Sequence, residues 1–197
     1  MTPDARGQGQ RPFGGFEREP ARRVFAAELR ETQLQFKEGE DEKSPTFALL
    51  PTGVRANRVL AIGTFTEKER RGDQNIFYHA RVSDPTGTFF VIAGSYQPEA
   101  MQEIARIEPP AFVAVIGKPN VYQSPGGSML VSIRAESIIT VDAVTRNCWV
   151  LDTARSTLDR LDDPVTTDDQ KRARDHYHID PKVYRQMVYD ALTQIKL

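Results

Sequence analysis

Five short apolar runs lie between residues 59 and 141, and one helical pattern separates the third run from the fourth. Segments rich in glycine, proline and aspartate bound these runs, as expected for turns. This order predicts a mainly β protein, a five-stranded OB-fold barrel with an N-terminal helical extension and C-terminal helices. Five short strands are also compatible with an SH3-like barrel or part of a sandwich, but the position of the helix favours the OB fold.

The segments before the barrel differ in composition. Residues 1–16 contain four glycines, two prolines and few apolar side chains, which predicts a disordered tail. Residues 17–58 are predicted to form a helix-and-strand extension. Within it, apolar residues at helical spacing after Pro20 predict a helix over about 19–31, and the apolar run 47–50 predicts a strand.

The barrel itself is predicted over 59–141. A glycine in the first strand, Gly63, is typical of a bulge or a barrel corner. The sequence Asp84-Pro85-Thr86-Gly87 predicts a tight turn between the second and third strands. The predicted strands cover 59–66, 77–83, 88–93, 112–118 and 129–141, with a helix over 98–107 between the third and fourth.

Three segments follow the barrel. Apolar residues at helical spacing predict a helix over 143–161, within an assembly segment that covers 142–161. The stretch 162–179 is interpreted as an acidic linker. The last segment, 180–197, is predicted to form an amphipathic helix.

Composition limits the function and the cellular compartment. The formal net charge of −1 excludes nucleic-acid binding by bulk positive charge, so any such site must be local. The single cysteine, Cys148, excludes an internal disulfide and fits a reducing, cytoplasmic environment. No apolar run approaches the length of a membrane span, so no membrane partner is expected.

An OB fold binds its ligands across the second and third strands, between two flanking loops. If Val82 points into the barrel, Phe77, His79 and Arg81 face the groove, and Phe90 faces outward in the same way. An outward aromatic can stack a base, although either phenylalanine can instead cover a neighbouring helix. The residues predicted to bind DNA are Phe77, Arg81, Phe90, Lys68, Arg70, Arg71, Lys118, Tyr122 and Arg134.

No catalytic or metal-binding pattern stands out. The pair Gly117-Lys118 lacks the other residues of a phosphate-binding loop. His176 and His178 have no obvious third ligand and lie in the interpreted linker. We therefore expect neither an enzyme nor a metal or other cofactor.

Several segments resemble the archaeal replication protein A-associated family. They are RRVFAAEL (22–29), LLPTGVRANRV (49–59), DPTGTFFVIAGSYQPEAM (84–101), EPPAFVAVIGKPNVY (108–122), and Trp149 with TLDRL (157–161). The resemblance implies an OB-fold subunit of a heteromeric replication protein A complex. Such a complex binds single-stranded DNA without sequence specificity in replication, repair and recombination.

The resemblance also implies that helix 143–161 contacts larger replication protein A subunits. Its partner-facing stripe comprises Val144, Cys148, Leu151, Leu158 and Leu161, with Trp149 at one edge. Two alternatives remain open: a structural assembly subunit whose barrel contributes little DNA binding, and an RNA-binding OB module.

Overall fold

A computed structural model of the chain describes residues 19–39 and 44–195, so the tail expected over 1–16 lies outside the described residues. None of the helices within these ranges is long and apolar enough to cross a membrane. In chain order the elements are β1 (Arg22–Arg23), α1 (Ala26–Glu31), β2 (Leu34–Lys37), β3 (Thr46–Leu49), β4 (Arg55–Ala56), β5 (Val59–Arg71), β6 (Phe77–Asp84), β7 (Gly87–Gly94), α2 (Pro98–Arg106), β8 (Ala111–Gln123), β9 (Met129–Thr140), α3 (Ala143–Asp162), α4 (Asp168–Tyr177) and α5 (Pro181–Thr193).

Five strands form a closed barrel. They are hydrogen-bonded in the order β5-β6-β7-β9-β8, and an additional pairing between β5 and β8 closes the sheet. Strands β7 and β9 run parallel, whereas the other neighbouring pairs in the barrel are antiparallel. With α2 between the third and fourth barrel strands, this is the order of an OB fold, and the predicted fold class is confirmed.

Strand β5 closes the barrel because it pairs with two other strands along its length. Its first half, from Val59 to Phe65, pairs with β8, and the stretch from Thr64 to Arg71 pairs with β6. Gly63 lies just before this crossover. A Cβ atom at Gly63 would meet the carbonyl oxygen of Ser83 at 2.5 Å, so only glycine permits this close approach of the two strands.

The barrel interior follows the predicted alternation. Ala80 and Val82 of β6 are fully buried, and so are Phe89 and Val91 of β7 to within a few per cent. Helix α2 packs on this core through Ile104, which is fully buried. Because successive side chains of a strand point to opposite faces, the intervening residues of β6 and β7 must face outward.

The N-terminal helix is shorter than the predicted range 19–31. Arg22–Arg23 instead forms β1, which pairs in parallel with β5, and Val24 and Phe25 are buried in the core. Helix α1 therefore starts only at Ala26. Its first N–H group donates to the carboxylate of Asp84 at 2.6 Å, so the turn of the β6–β7 hairpin caps this helix.

The small second sheet has the order β2-β3-β4, and all of its pairings are antiparallel. Phe36 and Phe47 stack on it with ring centroids 6.0 Å apart. The interpretation of 162–179 as a linker is wrong in part, because α4 forms within it and packs beside this sheet. The Tyr177 hydroxyl accepts the N–H groups of Gln33 and Leu34 and donates to the Leu49 carbonyl at 2.7 Å.

The final helix folds back onto its own chain. Val188 and Ala191 of α5 are buried in the main core, and the helix packs along α3. The Tyr184 hydroxyl donates to the carboxylate of Glu31 at 2.6 Å. Burial, together with the neighbouring carboxylates, raises the pKa of Tyr184 well above its usual range, so the hydroxyl stays a donor at neutral pH.

A buried ion pair joins the extension to α3. Glu28 is fully buried, and a side-chain nitrogen of Arg160 donates to its carboxylate at 2.7 Å. Thr52 connects the same two groups, because its hydroxyl donates to Glu28 and accepts from Nε of Arg160 at 2.8 Å. The three side chains hydrogen-bond to one another, so the network depends on all of its members.

Replacing Arg160 with methionine should therefore destabilise the protein strongly. The substitution leaves the Glu28 carboxylate buried without its cation, which costs about 3–5 kcal/mol in the free energy of unfolding. Urea denaturation measures this loss. The exposed Arg155→Met on the same helix serves as the control and should stay within about 0.5 kcal/mol of the wild type. An Arg160→Met protein as stable as this control would contradict the account.

Candidate nucleic-acid interface

The outward face of the barrel brings most of the predicted site residues together. Across the β6–β7 and β7–β9 ladders, Arg81 is in register with Phe90, and Phe90 with Ser132. Two residues further along β7, Ile92 is in register with Arg134, which in turn pairs with Lys118 of β8. Paired residues point to the same side of a sheet, so these side chains share one surface, named here the barrel face.

An aromatic platform occupies the middle of the barrel face. The rings of Phe90 and His79 stack with centroids 4.9 Å apart and planes inclined by 26°. The guanidinium carbon of Arg81 lies 5.9 Å from the centroid of Phe90. This combination offers a flat apolar surface for a base and a cation for the adjoining phosphate.

Burial lowers the pKa of His79, and the nearby charge of Arg71 lowers it further. Glu69 and Glu67 act in the opposite direction, and Arg81 adds to the lowering. The imidazole is therefore neutral at physiological pH and acts as a stacking group, while Arg81 carries the positive charge beside it.

A hairpin longer than expected forms one wall of the groove. The predicted fourth strand ends at residue 118, whereas β8 continues to Gln123, and Tyr122 lies within this strand instead of in a loop. Pro119 does not stop the strand, because the pairing of β8 with β5 has ended by this point and no strand among the described residues pairs with this outer edge. Two residues on, the N–H group of Val121 points to this same edge and donates to the Gln35 side chain.

Arg71 and Phe77 form the opposite wall, where β5 and β6 meet the loop 72–76, and they are in register with each other. A hydrogen bond to Glu69 raises the pKa of Arg71, and an interaction with Tyr122 contributes a smaller increase. In the strand order of the sheet, Arg71 on β5 and Tyr122 on β8 lie on opposite sides of the strand that carries Phe90.

Lys68 and Arg70 are not part of this surface, and the strand that carries them extends beyond the predicted range of 59–66. Both residues, like Arg71, belong to β5. The ammonium group of Lys68 donates to the carbonyls of Ala105 and Ile107 at 2.8 and 2.7 Å, so it caps the end of α2. Arg70 is in register with Tyr78 and lies on the opposite side of the sheet from Arg71.

Carboxylates that the sequence analysis missed offset part of the positive charge. Glu67 pairs with Arg81 at 3.2 Å, and Glu69 pairs with Arg71 at 2.6 Å. Their positions at alternate residues of the longer β5 were the signal that could have revealed them. Lys118 and Arg134, by contrast, form no ion pair with any residue in the described ranges, so uncompensated positive charge lies over β8 and β9.

The floor of the barrel face contains one unsatisfied polar group. Ser132 lies between Phe90 and Asn120 in the ladders and is 1% exposed, and its hydroxyl has no hydrogen-bond partner among the described residues. Buried hydroxyl groups normally find a partner, so this one is an exception among the described residues. The signal in the sequence was a serine at an outward position between the apolar residues Val131 and Ile133.

The predicted stripe on α3 is divided between two environments. Val144, Cys148 and Leu151 are exposed, with Val144 and Leu151 at 68% and 53%. Leu158 packs partly against the core, and Leu161 lines a cavity beside α4 and α5.

The expectation that Trp149 forms an interface edge is wrong. Its ring is 3% exposed, meets Phe25 edge-on at 5.5 Å, and donates to the Leu60 carbonyl at 3.3 Å. The indole therefore fixes α3 to the barrel and is not accessible to a partner.

The two histidines of the interpreted linker do not form a metal site. His176 contacts Tyr177 edge-on and lies 3.2 Å from the Gln33 side chain. Among the described residues, no three histidine, cysteine or carboxylate side chains cluster in a way that would hold a metal ion.

No family model and no curated protein sequence matches this chain. Its structure is similar to a chain of the S. pombe Stn1–Ten1 complex, with a TM-score of 0.57 and 14% identity over 80% of this chain and 99% of that chain. A chain of a replication protein A heterotrimer bound to single-stranded DNA matches with a TM-score of 0.49 and 15% identity, over 72% and 98% of the two chains. Yeast Stn1 and Ten1 match with a TM-score of 0.44 and 7% identity, over 64% of each chain. At these identities the likeness to the S. pombe structure establishes the fold.

The environment of His79 predicts its titration. Its imidazole should titrate below the ordinary value of 6.5, and Arg71→Gln should raise the pKa by removing a like charge. Below about pH 6.5 the unfolded chain binds a proton that the folded chain does not, so the free energy of unfolding should fall as the pH decreases through this window. Nuclear magnetic resonance of the ring protons, assigned with His79→Gln, measures the pKa. A value at or above 6.5 would show that the ring is solvated and not packed on Phe90.

Proposed function

We propose that this protein is a single-stranded DNA-binding subunit of a heteromeric complex of the replication protein A type. DNA would cross the barrel face without regard to sequence, with bases stacking on the Phe90–His79 platform and phosphates contacting Arg81, Arg134 and Lys118. This binding mode needs no base-edge readout, because every base has a face that can stack.

The platform is the observation that supports this function best. A half-buried phenylalanine and a neutral histidine stack on the outer side of a barrel whose core lies on the other side. Arg81 lies beside the platform, and Lys118 and Arg134, which form no ion pair with the described residues, lie on β8 and β9. The segments that resemble the archaeal replication protein A-associated family include β7, the start of α2 and most of β8, which support the same proposal.

The exposed part of α3 supports assembly with a partner. Val144, Cys148 and Leu151 place apolar area in solvent on a helix that follows the barrel directly. The S. pombe structure that matches this chain is of a complex between two proteins. A larger single-stranded DNA-binding subunit, as the family resemblance implies, is the partner that we propose.

One observation favours a second function, that of an assembly subunit with little DNA binding of its own. Glu67 and Glu69 already neutralise Arg81 and Arg71, and the formal net charge of the chain is −1. Under this alternative, removal of the platform would leave DNA binding by the complex unchanged.

Phe90→Ala tests the DNA-binding function in the purified protein and in its complex. Removing one stacking ring should weaken binding to labelled oligothymidine by about 1–3 kcal/mol, about 5-fold to 150-fold in affinity, measured by fluorescence anisotropy. Tyr189→Ala is the matched control, since this ring is 63% exposed on α5, away from the barrel face. Equal affinities of the two variants within the complex would support the structural alternative. Tighter binding of an RNA competitor than of DNA would identify an RNA-binding module instead.

Leu151→Glu tests the assembly role of α3. A carboxylate placed in an apolar contact remains unpaired on binding, so co-purification with the coexpressed larger subunit should be lost. The free chain should keep the stability of the wild type, because Leu151 is exposed. Tyr189→Glu, a comparable change on α5, should leave the complex intact. Retention of the complex by Leu151→Glu would show that another surface holds the partner.

A further inference from the structure

A second depression lies beside the barrel face, between the start of α2 and strands β8 and β9. It has a volume of about 440 Å³ and is bordered on one side by Lys118 and Arg134 and on the other by Tyr96 and Pro98. The two cations thus belong both to the barrel face and to the lining of this depression. The proposed DNA-binding function does not involve Tyr96 or Pro98.

Tyr96 is the most exposed large apolar or aromatic side chain in the described part of the protein, at 93%. Its backbone is nevertheless held firmly. The N–H group of Gln97 donates to the Gly94 carbonyl at 2.9 Å, which closes a tight turn around Tyr96 between β7 and α2. A ring on a fixed backbone loses little conformational entropy when a planar ligand stacks on it.

The charge of the depression favours a phosphate. Lys118 and Arg134 form no ion pair within the described ranges, and they are in register on neighbouring strands. Two carboxylates, Glu99 and Glu136, also border the depression. Glu136 pairs with Arg58 at 2.6 Å, so Glu99 offsets one of the two cations and the other stays in excess. A phosphate between Lys118 and Arg134 would be neutralised by two exposed cations, which releases counterions condensed on the DNA.

We propose that the single strand continues from Phe90 past Ile92 to Lys118 and Arg134, and that a base beyond these cations stacks on Tyr96. This subsite rests on the proposed DNA-binding function and extends it. The Cα atoms of Phe90 and Ile92 are about 7 Å apart along β7, because the residues are two positions apart. Strand β8 lies about 10 Å from β7, because β9 lies between them. The path therefore alternates a stacking position, a pair of cations and a second stacking position.

The length dependence of binding tests this path. The affinity of the full-length wild type is measured for oligothymidines from about 4 to about 16 nucleotides, the range of site sizes that OB folds occupy. Tyr96→Ala should match the wild type on the shortest oligonucleotides and lose about 5-fold to 150-fold on the longer ones. Tyr96→Phe, which keeps the ring, should behave as the wild type at every length. Tyr189→Ala controls for the loss of an exposed tyrosine elsewhere.

The outcomes separate the subsite from the proposed function. If Phe90→Ala weakens binding and Tyr96→Ala does not at any length, the subsite is overturned and DNA binding by the barrel face stands. Tyr96 would then be available for a protein contact instead. If the wild type, alone and in its complex, binds no oligonucleotide, both the proposed function and the subsite are overturned.

Discussion

The barrel closes because strand β5 pairs both with β6, the next strand in the sheet, and with β8, the last strand of the sheet. The rest of the barrel depends on this double pairing. The crossover of β5 from β8 to β6 requires a backbone without a side chain at Gly63, where a Cβ would lie 2.5 Å from the Ser83 carbonyl. Once the sheet is closed, every strand has a defined inner and outer set of residues. The barrel face with Phe90 and Arg134 is the outer set of this closed sheet.

The extensions reinforce this arrangement and leave the barrel face to the strands. Asp84 holds the first turn of α1 at one end of the β6–β7 hairpin. Burial raises the pKa of Asp84, and hydrogen bonds from Thr86, Ala26 and Gly87 oppose that shift. The buried pair of Glu28 and Arg160 joins α1 to α3, and Trp149 joins α3 to β5. The two termini of the described chain thus contribute to one core instead of forming separate appendages.

The sequence predicts the strands and their outward residues well, because alternation and turn residues are local properties. Ala80, Val82, Phe89 and Phe90 lie on the faces that the pattern predicts. Long-range contacts account for what it misses. Pro119 is tolerated because no strand in the described part of the chain pairs with its outer edge. Lys68 contacts the end of α2, about forty residues along the chain.

Helices show the same limit. Helix α4 has few apolar residues, so periodicity does not reveal it, and its capping box at Thr167 with Gln170 is the local signal that was available. The family resemblance predicts Trp149 at the edge of a partner interface, but its ring packs on Phe25, which lies far away in the sequence. Helical spacing alone cannot say which side of α3 faces its own barrel.

The charge distribution on the barrel face leads to the most direct test of the account. Arg81 and Arg71 are offset by carboxylates, so Lys118 and Arg134 should supply much of the phosphate contact. We would measure the logarithm of the oligothymidine affinity against the logarithm of salt concentration for the wild type and for a Lys118→Ala, Arg134→Ala variant. Each lost phosphate contact should reduce the magnitude of the slope by about 0.7, about 1.4 in total. An unchanged slope in this variant would contradict the claim that single-stranded DNA crosses the barrel face.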